Sequence, residues 1–227
     1  MIKSVNNYPV SQLFDIEAGV VYVIPRYQRE YAWSKNQWEN MFDDIIENNP
    51  GYFLGSIICI NQSTDVLSVQ RLELVDGQQR LTTLSLLFAA IYQVLKIEDD
   101  KLDEEQHIEM FNLKRKMVLK KGDDQIRVIP QIQNNNLNDY KAILAKTGVI
   151  GVCDVPANAG NRRIFRAYRY FQKRIEEMTD DQDNRLEIIM ELLDRISHAS
   201  MVKIEVASHA DAYILFESLN NRGMPLT

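Results

Sequence analysis

Apolar and polar positions follow two different periods along the chain, and the changes of period predict an ordered series of strands and helices. Short β-branched or alternating runs, which are typical of strands, occur at residues 20–24, 53–60, 72–75, 125–130 and 202–206. Apolar residues spaced three and four apart, which are typical of helices, occur at residues 35–47, 79–95, 137–144, 162–178, 186–198 and 210–219. This mixture predicts an α+β fold, with a small mixed sheet and its helices followed by a mainly helical segment.

The clearest candidate site is the pentapeptide Asp76-Gly77-Gln78-Gln79-Arg80, which lies between a predicted strand and a predicted apolar helix. The first N–H groups of a helix have no partner within it, and the helix dipole adds partial positive charge, so this position favours an anion. Gly77 permits a tight turn and a close approach to a ligand, and Arg80 offers a planar fork for phosphate oxygens. Asp76 is a candidate to cap the helix, hold a water or contact Mg²⁺. The alternative is a plain Asp-Gly turn capped by Asp76, and five residues alone do not decide between the two.

Two other segments contain residue types suited to the same ligand. Residues 26–33 combine two arginines, a glutamine and three aromatic side chains just beyond a strand, a composition that can stack a ring and hold phosphate. Aromatic packing of a loop, with the arginines in surface ion pairs, explains this composition equally well. Residues 220–223 follow an apolar helix, and their spacing favours a helix C-cap over a ligand site.

A row of cations marks the predicted helix at residues 162–178. Arg162, Arg166, Arg169 and Lys173 recur on one face, where we expect no acidic partner four residues away. Such a row can follow a phosphate backbone, which makes it a candidate nucleic-acid-binding surface. The alternative, which the composition favours, is a solvated face paired with acidic segments elsewhere.

Composition and charge narrow the classes of protein. The chain has 227 residues, of which 45% are hydrophobic, and its net charge of −6 argues against a non-specific DNA coat protein but leaves room for a local basic groove. Cys59 and Cys153 match no metal spacing, and neither do the three histidines, so we expect no metal centre built by the protein alone. The N-terminus is too polar for a signal peptide, and no apolar run approaches the roughly 20 residues of a membrane span. These features predict a cytoplasmic protein with no membrane partner.

The order of the segments is more specific than any one of them. Residues 24–33 (IPRYQREYAW), 53–57 (FLGSI), 75–84 (VDGQQRLTTL) and 216–223 (FESLNNRG) resemble the N-terminal domain of GmrSD-type restriction systems and of related anti-phage proteins with a DGQQR motif. The resemblance extends from about Val20 to the last residue. It implies a ParB-like core in which the DGQQR element handles a nucleotide. It also implies hydrolysis of an NTP that licenses restriction of DNA carrying modified bases.

The resemblance implies roles for individual residues as well. Asp76, Gln79 and Arg80 become the candidate catalytic residues, where Asp76 orients a water or an Mg²⁺ ion bound through the phosphates and Arg80 neutralises phosphate. The candidate nucleotide-binding residues are Gln28, Arg29, Tyr31, Gly77, Gln78, Asn220 and Arg222. Asp76 is the candidate general base, and Glu30 is a weaker one.

On this hypothesis residues 1–97 form the nucleotide-handling core, residues 98–200 a mainly helical region, and residues 201–227 a strand and helix that return to the core. The expected partners are a nucleoside triphosphate, DNA and a nuclease domain or subunit of His-Asn-His type, which three scattered histidines cannot build. The chain stops directly after a family motif, so we expect it to be truncated.

Two alternative functions stay open. One is a DNA-binding sensor of modified bases without nucleotide turnover, in which the cationic row at residues 162–173 is the working surface. The other is a DNA-nicking domain with Asp76 as a metal ligand. The sequence shows no obvious cluster of further carboxylates around Asp76, which argues against the nicking domain.

Overall fold

Six strands form one mixed sheet within the part of the chain that the computed structural model describes, which comprises residues 1–63, 69–119, 125–180 and 184–221, with side chains as far as residue 218. The strands are β1 (Ile2–Pro9), β2 (Val20–Val23), β3 (Phe53–Asn61), β4 (Gln70–Asp76), β5 (Val128–Ile129) and β6 (Ser200–Val206). Their order across the sheet is β1-β6-β3-β4-β2-β5. The pairs β1–β6 and β3–β4 are antiparallel, whereas β6–β3, β4–β2 and β2–β5 are parallel.

Eight α-helices accompany this sheet in the same described residues. They are α1 (Val10–Leu13), α2 (Lys35–Glu47), α3 (Gln78–Ile97), α4 (Glu104–Met117), α5 (Asn136–Lys146), α6 (Arg163–Thr179), α7 (Arg185–His198) and α8 (His209–Asn221). The predicted α+β class is therefore confirmed, and the stretch between β4 and β6 is mainly helical, as predicted.

Periodicity predicts most of these elements and misses β1, α1 and α4. The helix predicted at residues 35–47 has those bounds, and its apolar face is the buried one. β1 is an edge strand with mostly exposed polar positions, so it shows no apolar alternation, and its pairing with β6 holds it in place. At the start of α4, the Gln106 N–H donates to Asp103 Oδ1 over 2.8 Å, so the spacing Asp-x-x-Gln is the sign of this helix in the sequence.

The sheet separates a large core from a small one, because successive strand residues point to opposite faces. On one face, Leu72 and Leu74 of β4 and Ile57 of β3 pack into the large core, which contains most of α3 and side chains of the helices from α1 to α7. On the other face, α8 covers a small cluster formed by Ile58, Ile60, Ile204, Val206 and Ala212. The face that α8 covers also carries Glu73 and Val75, the residues of β4 that alternate with the two leucines.

Helix α3 is the central helix of the large core. Among the described residues it is the one helix that is long and apolar enough to cross a membrane by length and composition, and 83% of the relevant window is buried inside the protein. Burial includes the polar first turn, since Gln78, Gln79 and Arg80 are between 5% and 7% exposed.

The turn from β4 into α3 is made at Gly77, in a space that admits no side chain. Its φ of 82° lies in the left-handed region, which is unfavourable for any residue that has a Cβ atom. A Cβ atom there would lie 2.4 Å from Ile57 Cγ2 and 2.8 Å from the Ser56 carbonyl oxygen. The tight turn is as predicted, but the close approach that glycine permits is to strand β3.

We expect Gly77→Ala to lower the free energy of unfolding by about 3 kcal/mol, because it adds overpacking against β3 to the backbone strain. Gly51→Ala is the matched control, since Gly51 has a φ of 92° and no atom within 4 Å of an added Cβ. That control should lose only the strain, about 1 kcal/mol. Urea unfolding followed by tryptophan fluorescence measures both values, and equal losses would contradict the close packing at Gly77.

Candidate functional site

Three separate segments meet around one cleft of 420 Å³ at the start of α3. The loop after β2 contributes Gln28 and Arg29, the turn between β4 and α3 contributes residues 75–79, and α8 contributes Phe216. The structure thus brings together six of the residues predicted from the DGQQR motif and the first loop: Gln28, Arg29, Asp76, Gly77, Gln78 and Gln79.

Asp76 is the acidic group of the cleft, and its environment disfavours its charge. Burial raises the pKa of Asp76, and this effect is opposed by a hydrogen bond with the Gly77 backbone and by the charges of Arg80 and Arg29. Its Oδ2 atom is buried and has no hydrogen-bond partner within the described residues. A carboxylate oxygen left unpaired in this way costs folding free energy, and such groups concentrate at functional sites.

Two glutamine side chains form a chain of hydrogen bonds beside Asp76. Gln78 Nε2 donates to Gln28 Oε1 over 3.2 Å, and Gln28 Nε2 donates to the Val75 carbonyl over 2.8 Å. The Oε1 atom of Gln78 is buried and, as far as the described residues go, has no partner. The chain ties the first loop to the end of β4 and leaves a second acceptor oxygen unsatisfied near the carboxylate.

Arg29 supplies the positive charge at the cleft. It is exposed, and it makes no hydrogen bond or ion pair with any described side chain or backbone group, although its charge opposes the rise in the pKa of Asp76. Its guanidinium is therefore available to an anionic ligand in the cleft.

Gln79 uses both the oxygen and the nitrogen of its amide group to hold the first loop. Its Oε1 atom accepts from the backbone N–H groups of Ala32 (2.8 Å) and Trp33 (3.4 Å), and its Nε2 atom donates to the Glu30 carbonyl (3.1 Å). A side chain with these partners positions the loop that carries Gln28 and Arg29. The catalytic role of Gln79 stays a prediction, and its Oε1 atom and one of its two Nε2 hydrogens are already engaged by the backbone of the first loop.

Tyr31 lies behind the cleft. Its hydroxyl contacts Thr83 Oγ1 (2.6 Å) and accepts from Trp38 Nε1 (2.8 Å), and the residue is 5% exposed. Burial raises the pKa of Tyr31. The residue lines a smaller adjoining cavity together with Arg29 and Gln78, so it supports the loop from within.

Arg80 lies on the other side of the turn from the cleft. Its Nη1 atom donates to the Ser56 carbonyl over 2.8 Å, and its guanidinium packs against Gly55, where an added Cβ would lie 2.8 Å from Nε. Burial lowers the pKa of Arg80, and the charge of Asp76 opposes this effect. Arg80 lines a second cleft of 390 Å³ with Trp33 and Gly55, and its charge acts on Asp76 through the turn.

Helix α8 supplies a wall that the polar motif residues did not identify. Phe216 lines the cleft. It is the first residue of the FESLNNRG segment, whose resemblance to the family pointed to this segment but did not predict Phe216 as a site residue. Asn220 lies near the end of α8, and its side chain is outside the described part of the chain. Arg222 and Gly223, and with them the predicted C-cap, lie outside the described residues altogether.

The cationic row on α6 is largely engaged with protein groups. Arg162 precedes the helix and forms a two-pronged ion pair with the buried Asp139, at 2.5 and 2.7 Å. Arg169 donates to the Gly160 carbonyl, and Lys173 pairs with Glu177, four residues on, at 3.1 Å. The expectation that this face has no acidic partner at that spacing is therefore wrong. Arg166 is exposed, and nucleic-acid binding by the row stays a prediction.

The candidate metal ligands are sparse around the cleft. No group of three or more His, Cys, Asp or Glu side chains is placed to hold a metal ion in the ranges of the chain that the structure describes. Cys59 and Cys153 are both free thiols, and burial raises the pKa of each.

Comparison with protein families identifies the class of protein. The family model described as GmrSD restriction endonuclease, N-terminal domain, matches residues 10–227. The chain belongs to this family. As a GmrSD N-terminal domain it is a part of a restriction and phage-defence system, and the match starts at α1, earlier than the resemblance read from the motifs. No curated protein matches the chain.

We expect Gln79→Met to lower the free energy of unfolding of this GmrSD domain by about 2 kcal/mol, because two backbone N–H groups and one carbonyl in a partly buried position lose their partner. Gln93→Met makes the same chemical change on α3, at a side chain whose Oε1 has no described partner. This control should change stability by less than about 0.5 kcal/mol. Urea unfolding of both variants measures the difference, and equal effects would show that Gln79 does not hold the loop.

Proposed function

We propose that the cleft of this GmrSD N-terminal domain binds a nucleoside triphosphate with Mg²⁺ and hydrolyses it, and that turnover licenses DNA cleavage by a His-Asn-His-type nuclease of the same system. The single observation that carries the proposal is the costly placement of Asp76: a half-buried carboxyl whose Oδ2 atom is buried and unpartnered among the described residues, beside a helix N-terminus and an unengaged arginine.

The positive end of α3 and Arg29 are suited to the triphosphate. The N–H groups of the first helical residues have no partner within α3, and the aligned peptide dipoles add positive charge there. Arg29 is exposed, lines the same cleft as this turn and supplies a full positive charge. Arg80, which is buried beneath the turn, adds to the positive potential. Mg²⁺ would be bound through the phosphate oxygens.

Asp76 is suited to orient the attacking water. In the proposed step, the water oxygen forms a bond to the γ-phosphorus and the bond from that phosphorus to the bridging oxygen breaks. The water proton passes to the Asp76 carboxylate, and the products are a nucleoside diphosphate and inorganic phosphate. A carboxylate whose pKa is raised by burial is a stronger base than an exposed one, which favours this role.

We expect Asp76→Asn to lower the rate of phosphate release by at least about 100-fold, because the amide cannot accept the proton. Arg29→Ala should raise the KM for the nucleotide about tenfold, because it removes a charged contact to phosphate. Arg26→Ala is the matched control: Arg26 is exposed on the same loop but does not line the cleft, so its kinetics should match those of the wild type. Phosphate release is measured with each of the four NTPs and Mg²⁺.

The stability of Asp76→Asn shows whether a loss of activity comes from lost chemistry or from a lost fold. Burial raises the pKa of Asp76, so folding favours the neutral carboxyl over the charged one. The stability that this preference adds is fully present below the pKa of 3.8 in the unfolded chain, and it is lost as the pH rises through the pKa in the folded chain. At pH 7 Asp76→Asn should therefore unfold at the same or a higher urea concentration than the wild type. A folded wild-type protein, supplied with its full-length system, that neither binds nor hydrolyses any NTP would overturn the proposal.

A further inference from the structure

Glu73 is a buried carboxylate at which three segments of the chain meet. It lies on β4, three residues before Asp76, and is 7% exposed. Its Oε1 atom accepts from the Tyr27 hydroxyl and from His209 Nε2, the latter over 2.6 Å, and its Oε2 atom accepts from Gln62 Nε2. A buried carboxylate with charge-assisted bonds of this kind is costly to leave unpaired, so its partners are held firmly.

Two of these partners lie on the segments that line the cleft, namely the first loop and α8. Tyr27 precedes Gln28 and Arg29 in the first loop, and His209 is the first residue of α8, the helix that carries Phe216. The two rings also contact each other edge to face, with their centroids 5.8 Å apart. Glu73 therefore joins the first loop and α8 to β4, the strand that ends at Asp76.

Helix α8 has few other attachments near its start. Its buried apolar contact is Ala212 in the small core, with Leu215 partly buried, whereas Tyr213 and Ile214 are 65% and 64% exposed. Asp211 pairs with the amino group of Met1 at the surface. An ion pair at the surface contributes little, whereas the contact between His209 and the buried carboxylate of Glu73 attaches the start of α8 to β4.

We propose that Glu73 is a positioning residue of the cleft, which through Tyr27 and His209 sets the distance of the first loop and of α8 from Asp76. The inference rests on the proposed function for its kinetic consequence. Glu73 touches the walls and not the reacting phosphate, so its loss weakens the binding of substrate and transition state equally. That pattern raises KM and leaves kcat unchanged.

The test compares Glu73→Gln and His209→Ala with Glu205→Gln in the nucleotide-hydrolysis assay. Glutamine keeps the volume of Glu73 but offers one acceptor oxygen to three donors, whereas Glu205 lies two strands away on β6 and outside the cleft. We expect the first two variants to raise the KM for NTP about tenfold with kcat within about threefold, and the double variant to be no worse than the single ones. Glu205→Gln should behave as wild type.

A second measurement does not depend on turnover. Hydrogen exchange at the backbone of residues 209–218 should be faster in Glu73→Gln and His209→Ala than in the wild type or in Glu205→Gln. If Glu73→Gln does not fold, His209→Ala alone carries this measurement, because it removes an exposed side chain and leaves Glu73 its bonds with Tyr27 and Gln62.

The outcomes distinguish this inference from the proposed function. A wild type that does not bind nucleotide defeats the proposed function, and the exchange of α8 then decides the role of Glu73 by itself. Unchanged exchange of α8 in the variants overturns the positioning role in either case. A fall in kcat at constant KM also overturns it, because that result would place Glu73 in the chemical step.

Discussion

The turn at Gly77 is the constraint on which the rest of the site depends. Because β3 fills the space where a side chain would stand, β4 passes into α3 without an intervening loop, and the first turn of α3 is buried. Successive helical residues point in directions about 100° apart. Gln78 therefore reaches Gln28, Gln79 reaches the backbone of residues 30–33, and Arg80 reaches the Ser56 carbonyl. One tight turn thus fixes three neighbouring segments around the carboxylate that precedes it.

The same turn concentrates opposing charges that burial does not favour. The pKa of Asp76 is raised and that of Arg80 is lowered, in both cases first by loss of solvent, while each charge partly offsets the shift of the other. A fold selected for stability alone would place apolar side chains at such positions. Under the proposed function, the phosphates would pair with the positive groups and their bound cation with the Asp76 carboxylate.

Sequence periodicity predicted the elements whose pattern is local. Helix α2 and the strand–turn–helix element are of this kind, since the apolar spacing and the Asp-Gly dipeptide specify them within a few residues. β1 escaped prediction because its order comes from pairing with β6, almost 200 residues further along the chain.

The parts of the site that could not be predicted depend on contacts between distant residues. Tyr31 was expected in the pocket, but Thr83, 52 positions away, holds its hydroxyl in the core. The sequence left Arg162 either on a free cationic face or paired with an acidic segment elsewhere, and only the fold identifies the buried Asp139 as its partner. Glu73 has an unremarkable place in an alternating strand, and only its partners Tyr27 and His209 make it a junction. Spacing identifies which side chains are candidates, and tertiary contacts decide which of them are already occupied.

The central claim is that an NTP occupies the cleft between the first loop, the DGQQR turn and α8. The most direct measurement is hydrogen exchange of the protein with and without a non-hydrolysable NTP and Mg²⁺. If an NTP binds in the cleft, exchange should slow at residues 26–31, 76–80 and 209–218 and stay unchanged along α6. Exchange that is unaltered at saturating nucleotide, or that slows only along α6, would contradict it.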